Sequence, residues 1–341
     1  MTRKPNVTQQ EIARRLGITQ VTVSRALSGK DRLSPGTRER VLALAEELGY
    51  RVNGLARRVQ EGRYRGMTLL GNLGRLTFNV WEQEFHIAVA RTLAERSWHL
   101  TAGWLPAEGL ADPSVVDGLL DRMLADAALI YDVGPQSPQV EDILARYRIT
   151  PIWVNAGRLV DGVGFADADG SRLAIHHLLK QGYRRPALLL AGPETDRQYA
   201  HISVLERTRG FVGACAEAGL PAWVAHPAQS NQPSEQAKHL HQLLTGIDRP
   251  DALLCYAPHQ AALVRLVCAE CRLRIGADLG LITFVKPNER ILDTEVSACQ
   301  LDYDALGREA VNMAWRRLES GPQPQVLVPI TLVRPGATTT R

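Results

Sequence analysis

The apolar residues of the first fifty positions recur at helical spacing and predict short helices. Ile12 and Leu16 lie on one face of the first helix. Thr8 and Glu11, three residues apart, are placed as a capping box, in which the hydroxyl and the carboxylate each accept a backbone N–H. Gly17 ends this helix, because glycine adopts the left-handed conformation without a steric penalty. The segment predicts one compact helix with both ends defined.

A second and a third helix follow with the same kind of apolar stripe. Thr19 is positioned to cap the second helix, which buries Val23. Ser34 and Pro35 form a strong helix start, a capping hydroxyl followed by proline in the first turn. Val41, Leu44, Ala45 and Leu48 form the apolar face of the third helix, and Gly49 closes it. Three helices around one small core, two of them joined by a tight turn, are typical of a helix-turn-helix domain.

From about residue 66 onward, apolar strands alternate with amphipathic helices, which predicts an α/β body with largely parallel sheets. We expect strands at Thr68–Gly71, Leu100–Trp104, Ala127–Tyr131, Ile152–Asn155, Ala187–Ala191, Trp223–Ala225, Ala252–Tyr256 and Leu279–Phe284. We expect helices at Glu82–Arg96, Ser114–Ala125, Gly170–Gln181, Glu206–Ala218, Ser234–Leu244, His259–Cys271 and Tyr303–Leu318. Two sheets fit this length better than one. The predicted organisation is a headpiece over 1–50, a linker over 51–65 and a body over 66–341.

The distribution of charged residues along the chain indicates what the headpiece binds. Residues 1–65 hold 14 Lys and Arg against 6 Asp and Glu, whereas the remainder holds 26 against 30. A basic excess confined to a small N-terminal segment is typical of a module that binds phosphates. An anionic membrane would attract the same charge, but the segment lacks an amphipathic helix rich in aromatic residues. We therefore expect double-stranded DNA, and no membrane, as the partner.

The sequence gives little support to other functional classes. No apolar run approaches the length of a membrane span, and the basic start lacks the apolar core of an export signal. An odd number of cysteines, five, favours a reducing cytoplasm, with most of them acting as small buried hydrophobes. The pair Cys268 and Cys271 has no second pair or matched histidines, so a zinc site is not expected. We find no enzyme motif and predict no cofactor and no catalytic residue.

The second helix carries the groups that read DNA bases. The amide of Gln20 can bond an adenine edge, and the methyl groups of Val21 can pack on a thymine methyl. The guanidinium of Arg25 suits the edge of guanine. Contacts to phosphates that set the register are expected from Thr8, Thr19, Thr22 and Ser24. A solvated helix surface, or an ordinary helical hairpin, would show similar residues, but the basic charge favours DNA.

Several ordered motifs identify a family resemblance. TVSRAL, S-P-x-T-R-x-x-V, E-L-G-Y and N-x-x-A-R-x-V occur in order over the first 60 or so residues. Together they closely resemble the headpiece and hinge of the lactose-repressor/galactose-repressor (LacI/GalR) family. Further matches are GSRLAIHHLLKQGYRRPALLLAG from Gly170 to Gly192, Arg207 to Phe211, Ala216 to Leu220, and Leu332 to Thr338. The resemblance implies a small all-α helix-turn-helix headpiece plus a two-lobed α/β core, periplasmic-binding-protein-like, with parallel sheets.

The same resemblance implies a lobe division and a hinge. The chain is expected to cross three times between lobe 1, about 66–160 and 287–325, and lobe 2, about 161–286 and 326–341. The hinge helix would enter the minor groove, with Val59 where the family commonly has a leucine wedge; we infer a shallower wedge. Such a pair of hinges requires a homodimer on a pseudo-palindromic operator, and a tetramer is left open. The hinge contacts to DNA are expected from Asn53, Ala56, Arg57 and Val59.

The resemblance also places a small-molecule effector in a cleft between the lobes. Arg207 stands at the family's effector-binding arginine, in R-x-x-G-F, and Phe165 matches an aromatic that packs on the ligand. Asn155 lies near a polar family position, and Trp81 is a further candidate for stacking. Trp104, Trp153 and Tyr131 are either cleft or core residues.

Three departures from the family pattern affect this cleft. Pro258, Val285 and Leu301 stand where relatives carry polar, sugar-binding residues. Because valine cannot bind a sugar hydroxyl, we do not expect a plain neutral sugar. Arg207, with His259 and Lys286 nearby, favours an anionic metabolite such as a sugar acid or a sugar phosphate.

The predicted function is a cytoplasmic transcription regulator, a repressor controlled allosterically through this cleft. The alternative is the same DNA-binding function controlled by a partner protein, with a degenerate cleft. An enzyme or a transport-type binding protein on the same fold is opposed by the basic headpiece.

Overall fold

The computed structural model describes residues 7–28, 33–48, 50, 64–72, 83–105, 109–121, 123–131, 137–190, 201–225 and 232–340. The chain divides into two compact units, Met1–Tyr64 and Arg65–Arg341. No helix among these residues is long and apolar enough to cross a membrane.

The first unit is a three-helix cluster. Its helices are α1 (Gln9–Leu16), α2 (Gln20–Ser28) and α3 (Pro35–Glu47). One residue from each of α1, α2 and α3, Ile12, Val23 and Val41, is completely buried where the helices meet. The remaining buried members of this core are Ala13, Ala26 and Ala45. Half-buried side chains close the cluster, among them Leu16, Leu48 and Tyr50. The predicted apolar stripes therefore form a single small core.

The second unit contains two six-stranded sheets with helices between the strands. In chain order its elements are β1 (Gly66–Asn72), α4 (Gln83–Glu95), β2 (His99–Leu105), a 3₁₀ turn (Gly109–Ala111), α5 (Pro113–Leu120), β3 (Ala127–Tyr131), α6 (Val140–Arg146), β4 (Thr150–Val154), β5 (Gly162–Phe165), α7 (Asp167–Lys180), β6 (Pro186–Leu189), α8 (Ile202–Glu217), β7 (Trp223–Ala225), α9 (Pro233–Thr245), β8 (Ala252–Cys255), α10 (Pro258–Glu270), β9 (Gly280–Val285), β10 (Ser297–Gln300), α11 (Tyr303–Ser320), β11 (Val326–Val328) and β12 (Thr331–Val333).

The strand order defines two lobes. The sheet of lobe 1 has the order β11-β5-β4-β3-β1-β2, and that of lobe 2 has the order β12-β10-β9-β8-β6-β7. All described pairings in lobe 1 are parallel. In lobe 2 the last strand, β12, is antiparallel to β10, and the others are parallel. The predicted α/β body with largely parallel sheets is therefore confirmed.

The chain crosses between the lobes three times. The crossings lie between β5 and α7, between β10 and α11, and between β11 and β12. The expected lobe boundaries need correction, because Gly162–Phe165 and Val326–Val328 pair in the sheet of lobe 1, and Ser297–Gln300 pairs in that of lobe 2. Lobe 1 therefore extends to about residue 165, and lobe 2 continues to about residue 300. These three strands have only three or four residues, and their places depend on partners far away in the sequence.

Candidate DNA-binding helix and inter-lobe cleft

The start of α1 positions the helix-turn-helix. The hydroxyl of Thr8 accepts a hydrogen bond from the Glu11 amide at 3.2 Å. Gly17, with φ of 65°, ends the helix in the left-handed conformation. The carboxylate of Glu11, which was expected to reach back to Thr8, binds Arg14 and Arg15 at 2.8 and 2.7 Å. These two hydrogen bonds lower the pKa of Glu11 to about 2, so the carboxylate stays ionised and ties down the two arginines of the last turn.

The helix α2 presents an exposed polar face. Thr19 caps it by accepting the Thr22 amide at 3.1 Å, and the two hydroxyl groups lie 2.9 Å apart. Because Val23 is buried, the opposite side of α2 is left to solvent. Exposed residues on or beside that side are Thr8, Thr19, Gln20, Val21, Ser24 and Arg25, and Thr22 is half-buried. Val21 is 59% exposed. This face presents an amide, a hydroxyl, a guanidinium and two methyl groups together.

The third helix begins as predicted but is capped differently. It starts at Pro35, where proline is pre-organised for the first turn. The hydroxyl of Ser34 pairs with the Thr37 hydroxyl at 2.8 Å, and no capping bond to the backbone forms from it within the described headpiece. The expected role of Ser34 as a capping hydroxyl was therefore wrong.

Some predicted site residues lie outside the described residues. These are the hinge residues Asn53, Ala56, Arg57 and Val59, and Trp81 in the predicted cleft. Gly49, the predicted end of α3, lies outside them as well. The proposed roles of these residues stay predictions.

Arg207 lies at the junction of the lobes and is almost completely buried. Its Nε donates to Asp167 Oδ1 at 2.7 Å, and its Nη1 donates to the carbonyl of Tyr256 at 2.7 Å. The guanidinium carbon lies 3.7 Å from the ring centroid of Phe284 and 4.5 Å from that of Tyr256. Burial works against the charged form of Arg207, but the attraction of Asp167 and other neighbours outweighs it and raises the pKa. Arg207, which the resemblance assigns to effector binding, is therefore one half of a buried ion pair.

The R-x-x-G-F motif explains how Arg207 reaches Asp167. Gly210 lies one turn after Arg207 on α8, and a Cβ there would lie 2.0 Å from the carbonyl oxygen of Ala168. Only glycine therefore permits α8 to approach the start of α7 this closely. Phe211, completely buried, fixes the same helix in the core. Gly210 and Phe211 thus hold α8 close enough to α7 for Arg207 to reach Asp167.

Aromatic and amide side chains frame the same region from lobe 1. Phe165, at the end of β5, packs edge-on against Tyr303 with ring centroids 5.1 Å apart. Asn155, which follows β4, has a left-handed backbone with φ of 53° and donates to the Tyr131 hydroxyl at 3.3 Å. Tyr131 packs in turn against Phe85, with centroids 5.4 Å apart. Asn155 and Phe165 line one cavity together with Asp167, the partner of Arg207. We call the region of this cavity and of the Asp167–Arg207 pair the inter-lobe cleft.

The three altered family positions do not all face the cleft. Val285 packs in the core of lobe 2, and Leu301 packs in the core shared by the two lobes. Pro258 is the first residue of α10, and His259 beside it is exposed. Lys286 Nζ lies 3.9 Å from Glu84 Oε1. The loss of polar residues at Val285 and Leu301 is therefore a change in core packing.

The other aromatic candidates divide between core and surface. Trp153 is buried in a lobe 1 core beneath Arg158, whose guanidinium carbon lies 4.5 Å from the indole centroid. Trp104 is 42% exposed at the end of β2. Neither residue is placed with Arg207, and the core interpretation holds for Trp153.

The sequence analysis missed three cleft residues. Asp167 pairs with Arg207, and Tyr256 supplies the carbonyl and the ring that hold it. Ser203, the third, is buried, and its hydroxyl lies 2.7 Å from the Tyr256 hydroxyl. Asp167 follows the end of β5 by two residues, but an acidic residue at that point does not by itself show that it is buried or paired. Spacing alone does not connect positions 167, 207 and 256.

The described residues contain no cluster that could hold a metal ion, and four of the five thiols are buried. No group of three or more His, Cys, Asp or Glu in the described parts of the chain could hold a metal ion. Burial raises the pKa of the Cys215 thiol to about 11, and burial also raises that of Cys299, to about 12. Both thiols therefore stay protonated and act as small hydrophobes, as does buried Cys268 in the lobe 2 core.

Two family models match the two units. The model described as "Bacterial regulatory proteins, lacI family" matches residues 8–53, and the "Periplasmic binding protein-like domain" matches residues 175–339. Among curated proteins, the transcriptional regulator AglR of Rhizobium meliloti is 28% identical over 287 residues, which are 81% of this chain and 77% of that protein. The transcriptional repressor PurR of Haemophilus influenzae is 23% identical over 323 residues, 91% of each chain.

Solved structures show the same architecture. The lac repressor dimer bound to operator and the anti-inducer ONPF matches with a TM-score of 0.77 at 19% identity, covering 98% of this chain and 99% of that one. The regulator CelR in complex with cellobiose matches with a TM-score of 0.65 at 19% identity, over 97% and 100% of the two chains.

A helix-turn-helix unit joined to a two-lobed binding core defines a DNA-binding transcription regulator, and the relatives are regulators, not enzymes. The chain thus combines a helix-turn-helix segment that matches the lacI family model with a core segment that matches the periplasmic-binding-protein-like model.

Proposed function

We propose that the protein is a repressor that binds a pseudo-palindromic operator as a dimer. The observation that carries this proposal is the exposed surface of α2, where Val21 and Arg25 lie opposite the buried Val23 and Gln20 is exposed at the first position of the helix. A helix of this kind reads base edges in the major groove. Since one such helix contacts only a half-site, a second copy must supply the other. The lac repressor, which shares the fold, is described as a dimer bound to operator.

The proposed control element is a small metabolite in the inter-lobe cleft. Arg207 contacts Asp167, the first residue after one lobe crossing, and Tyr256, the residue after β8. A ligand that binds there would shift the orientation of the lobes, because it would have different contacts in the open and closed states. The affinity for operator would change by the corresponding difference in free energy. As a regulator of bacterial genes, the protein would act in the cytoplasm.

The ligand that we propose has acceptor oxygens, as a sugar acid or a sugar phosphate does. A guanidinium has five N–H donors, and Asp167 and the Tyr256 carbonyl take one each. The remaining donors suit a carboxylate or a phosphate. Asp167 partly balances the charge of Arg207. A neutral sugar is therefore the alternative ligand with which the anionic ligands are compared.

Control by a partner protein is the second candidate. The cavity lined by Asn155, Phe165 and Asp167 holds about 200 Å³, which is below the usual range of about 300–1,000 Å³ for ligand pockets. A cleft that binds no metabolite would leave regulation to a protein that binds a lobe surface. A pulldown that recovers one stoichiometric partner, together with no thermal shift in a metabolite screen, would favour this candidate.

Selection of DNA fragments by the purified full-length protein tests the operator proposal. We expect a palindromic site of roughly 14–20 base pairs, bound with a steep salt dependence. Gln20→Ala should relax the preference at one symmetric pair of positions, with a cost of about 1–3 kcal/mol at the preferred base. Salt-insensitive binding, or selection of no sequence at all, would contradict the proposal.

Calorimetry tests the ligand class. Gluconate and glucose 6-phosphate should bind more tightly than glucose, and Arg207→Ala should abolish that difference. Arg274→Ala is the control, because Arg274 pairs with Asp278 on an exposed segment before β9. Tight binding of glucose that survives Arg207→Ala would overturn the anionic ligand.

A further inference from the structure

Glu84 carries a carboxylate oxygen that lacks a donor. It is the second residue of α4, and its Oε1 lies 3.9 Å from Lys286 Nζ. Its other oxygen, Oε2, is buried and has no hydrogen-bond partner in the described structure. A separation of 3.9 Å is too long for a hydrogen bond. The carboxylate thus has one distant ion-pair contact and one buried oxygen without a hydrogen bond.

Such an arrangement is unfavourable unless another molecule completes it. An ionised carboxylate only accepts hydrogen bonds, and a buried acceptor without a donor loses its hydration without compensation. Buried polar groups in folded proteins almost always have partners, so an exception indicates strain, an ordered water or a bound ligand. The missing group must be a donor.

The position of Glu84 connects it to the cleft. Glu84 belongs to lobe 1, whereas Lys286 follows β9 in lobe 2. Alternate residues of a strand point to the same side, so Lys286 continues the side of β9 that carries Phe284, the ring under Arg207. The pair of Glu84 and Lys286 therefore bridges the two lobes, and Lys286 lies two residues beyond the ring that packs on Arg207.

We propose that Glu84 is a specificity-determining residue for the effector. Its Oε2 accepts a hydrogen bond from a donor group of the ligand, a hydroxyl or an ammonium, while Arg207 binds an acceptor oxygen of the same molecule. The ligand then spans the two lobes. This inference rests on the proposed function, because it assigns a chemistry to the cleft that Arg207 defines. A purely structural role, in which Glu84 only holds Lys286, is the competing explanation.

Thermal unfolding of the ligand-free protein separates the two roles. The variants are Glu84→Gln, Lys286→Met and, as a control at the exposed end of the same helix, Glu95→Gln. If Oε2 awaits a ligand, Glu84→Gln leaves the Tm unchanged or raises it, because an uncompensated charge is removed. If Glu84 and Lys286 hold the lobes together, both substitutions lower the Tm by similar amounts. That second result would overturn the inference.

Binding measurements then identify the donor. The probes are gluconate, glucosamine, glucose 6-phosphate and glucose, measured by calorimetry on the full-length protein. We expect the best probe to lose about 10- to 100-fold in affinity in Glu84→Ala. A hydroxyl donor keeps part of that affinity in Glu84→Gln, because the amide retains one acceptor, whereas an ammonium donor loses as much as in Glu84→Ala. Glu95→Gln should bind like the unmodified protein.

Two further results distinguish this inference from the proposed function. If a probe binds through Arg207, as shown by loss in Arg207→Ala, but both Glu84 variants bind it normally, the role of Glu84 is overturned and the effector cleft stands. If none of the probes binds the unmodified protein, the small-metabolite part of the proposed function fails, and the role of Glu84 fails with it.

Discussion

The headpiece and the inter-lobe cleft organise their chemistry in opposite ways. In the headpiece, Thr8 caps Glu11 and Thr19 caps Thr22, each over three residues, and the side chains proposed to read DNA are exposed. In the cleft, Arg207 depends on Asp167 and on the Tyr256 carbonyl, 40 and 49 residues away, and is buried. A surface for DNA can therefore be built from local structure, whereas a ligand site requires the complete core.

The largest effect should come from breaking the buried ion pair. Arg207→Ala leaves Asp167 buried without its partner, which should lower the free energy of unfolding of the core by about 3–5 kcal/mol. Urea unfolding followed by circular dichroism measures this. Arg274→Ala, in an exposed pair with Asp278, should cost at most about 1 kcal/mol. Equal losses in the two variants would show that the Asp167 pair behaves like a surface contact.

A core truncation in the headpiece should come next. Ile12→Ala removes a completely buried side chain from a cluster of six buried residues, with an expected cost of about 2–5 kcal/mol. Operator binding should be lost, while thermal unfolding of the 65–341 unit stays unchanged. Calorimetric scanning and a gel-shift assay measure the two. Parallel destabilisation of both units would contradict their independence.

Helix packing in the cleft should show a smaller effect. Gly210→Ala places a methyl group 2.0 Å from the Ala168 carbonyl oxygen, and the resulting overpacking should cost about 1–3 kcal/mol. Gly213 of the same helix is the matched control, since its Cβ would meet nothing closer than Arg172 Nη2 at 3.7 Å. Gly213→Ala should stabilise the core by about 0.5–1 kcal/mol. If both substitutions change the free energy of chemical unfolding in the same direction, the close approach of α8 to α7 does not explain the glycine of the motif.

The smallest effect should come from a helix cap. Thr8→Ala removes the side-chain acceptor at the start of α1 and should destabilise the headpiece by about 1 kcal/mol. Ser34→Ala provides the comparison, because the Ser34 hydroxyl pairs with Thr37 instead of the backbone. Its effect on the headpiece midpoint should be clearly smaller. A larger loss from Ser34→Ala would reverse the assignment of the two caps.

The sequence predicted elements better than it predicted partners. The helical spacing that buries Val23 also determines which residues of α2 face outward, so the exposed positions of Val21 and Arg25 followed from the pattern alone. In the core, two strands, Ala127–Tyr131 and Trp223–Ala225, have the predicted bounds, because each is a short apolar run between polar segments. Pattern was sufficient wherever local contacts decide the structure.

Prediction failed where distant segments meet. The strand Gly162–Phe165 is short and has glycine at two of its four positions, and β4 and β11 pair with it on either side. The motif singled out Arg207 as a candidate effector-binding residue, but its burial against Asp167 follows from the approach of α8 to α7. Val285 was assigned to the cleft because the family position is polar, although the residue packs into the core of lobe 2. No local pattern contains this information.

The two last strands have a consequence for synthesis of the protein. β11 completes the sheet of lobe 1 and β12 completes that of lobe 2, and only two residues separate them. On the ribosome, the headpiece cluster has all its members once Tyr50 has emerged, whereas both lobes wait for residues 326–333. Until then β5 and β10 each present an open edge, which favours association with other chains. Messages truncated shortly before this point should therefore yield chains with a folded headpiece and an aggregation-prone core.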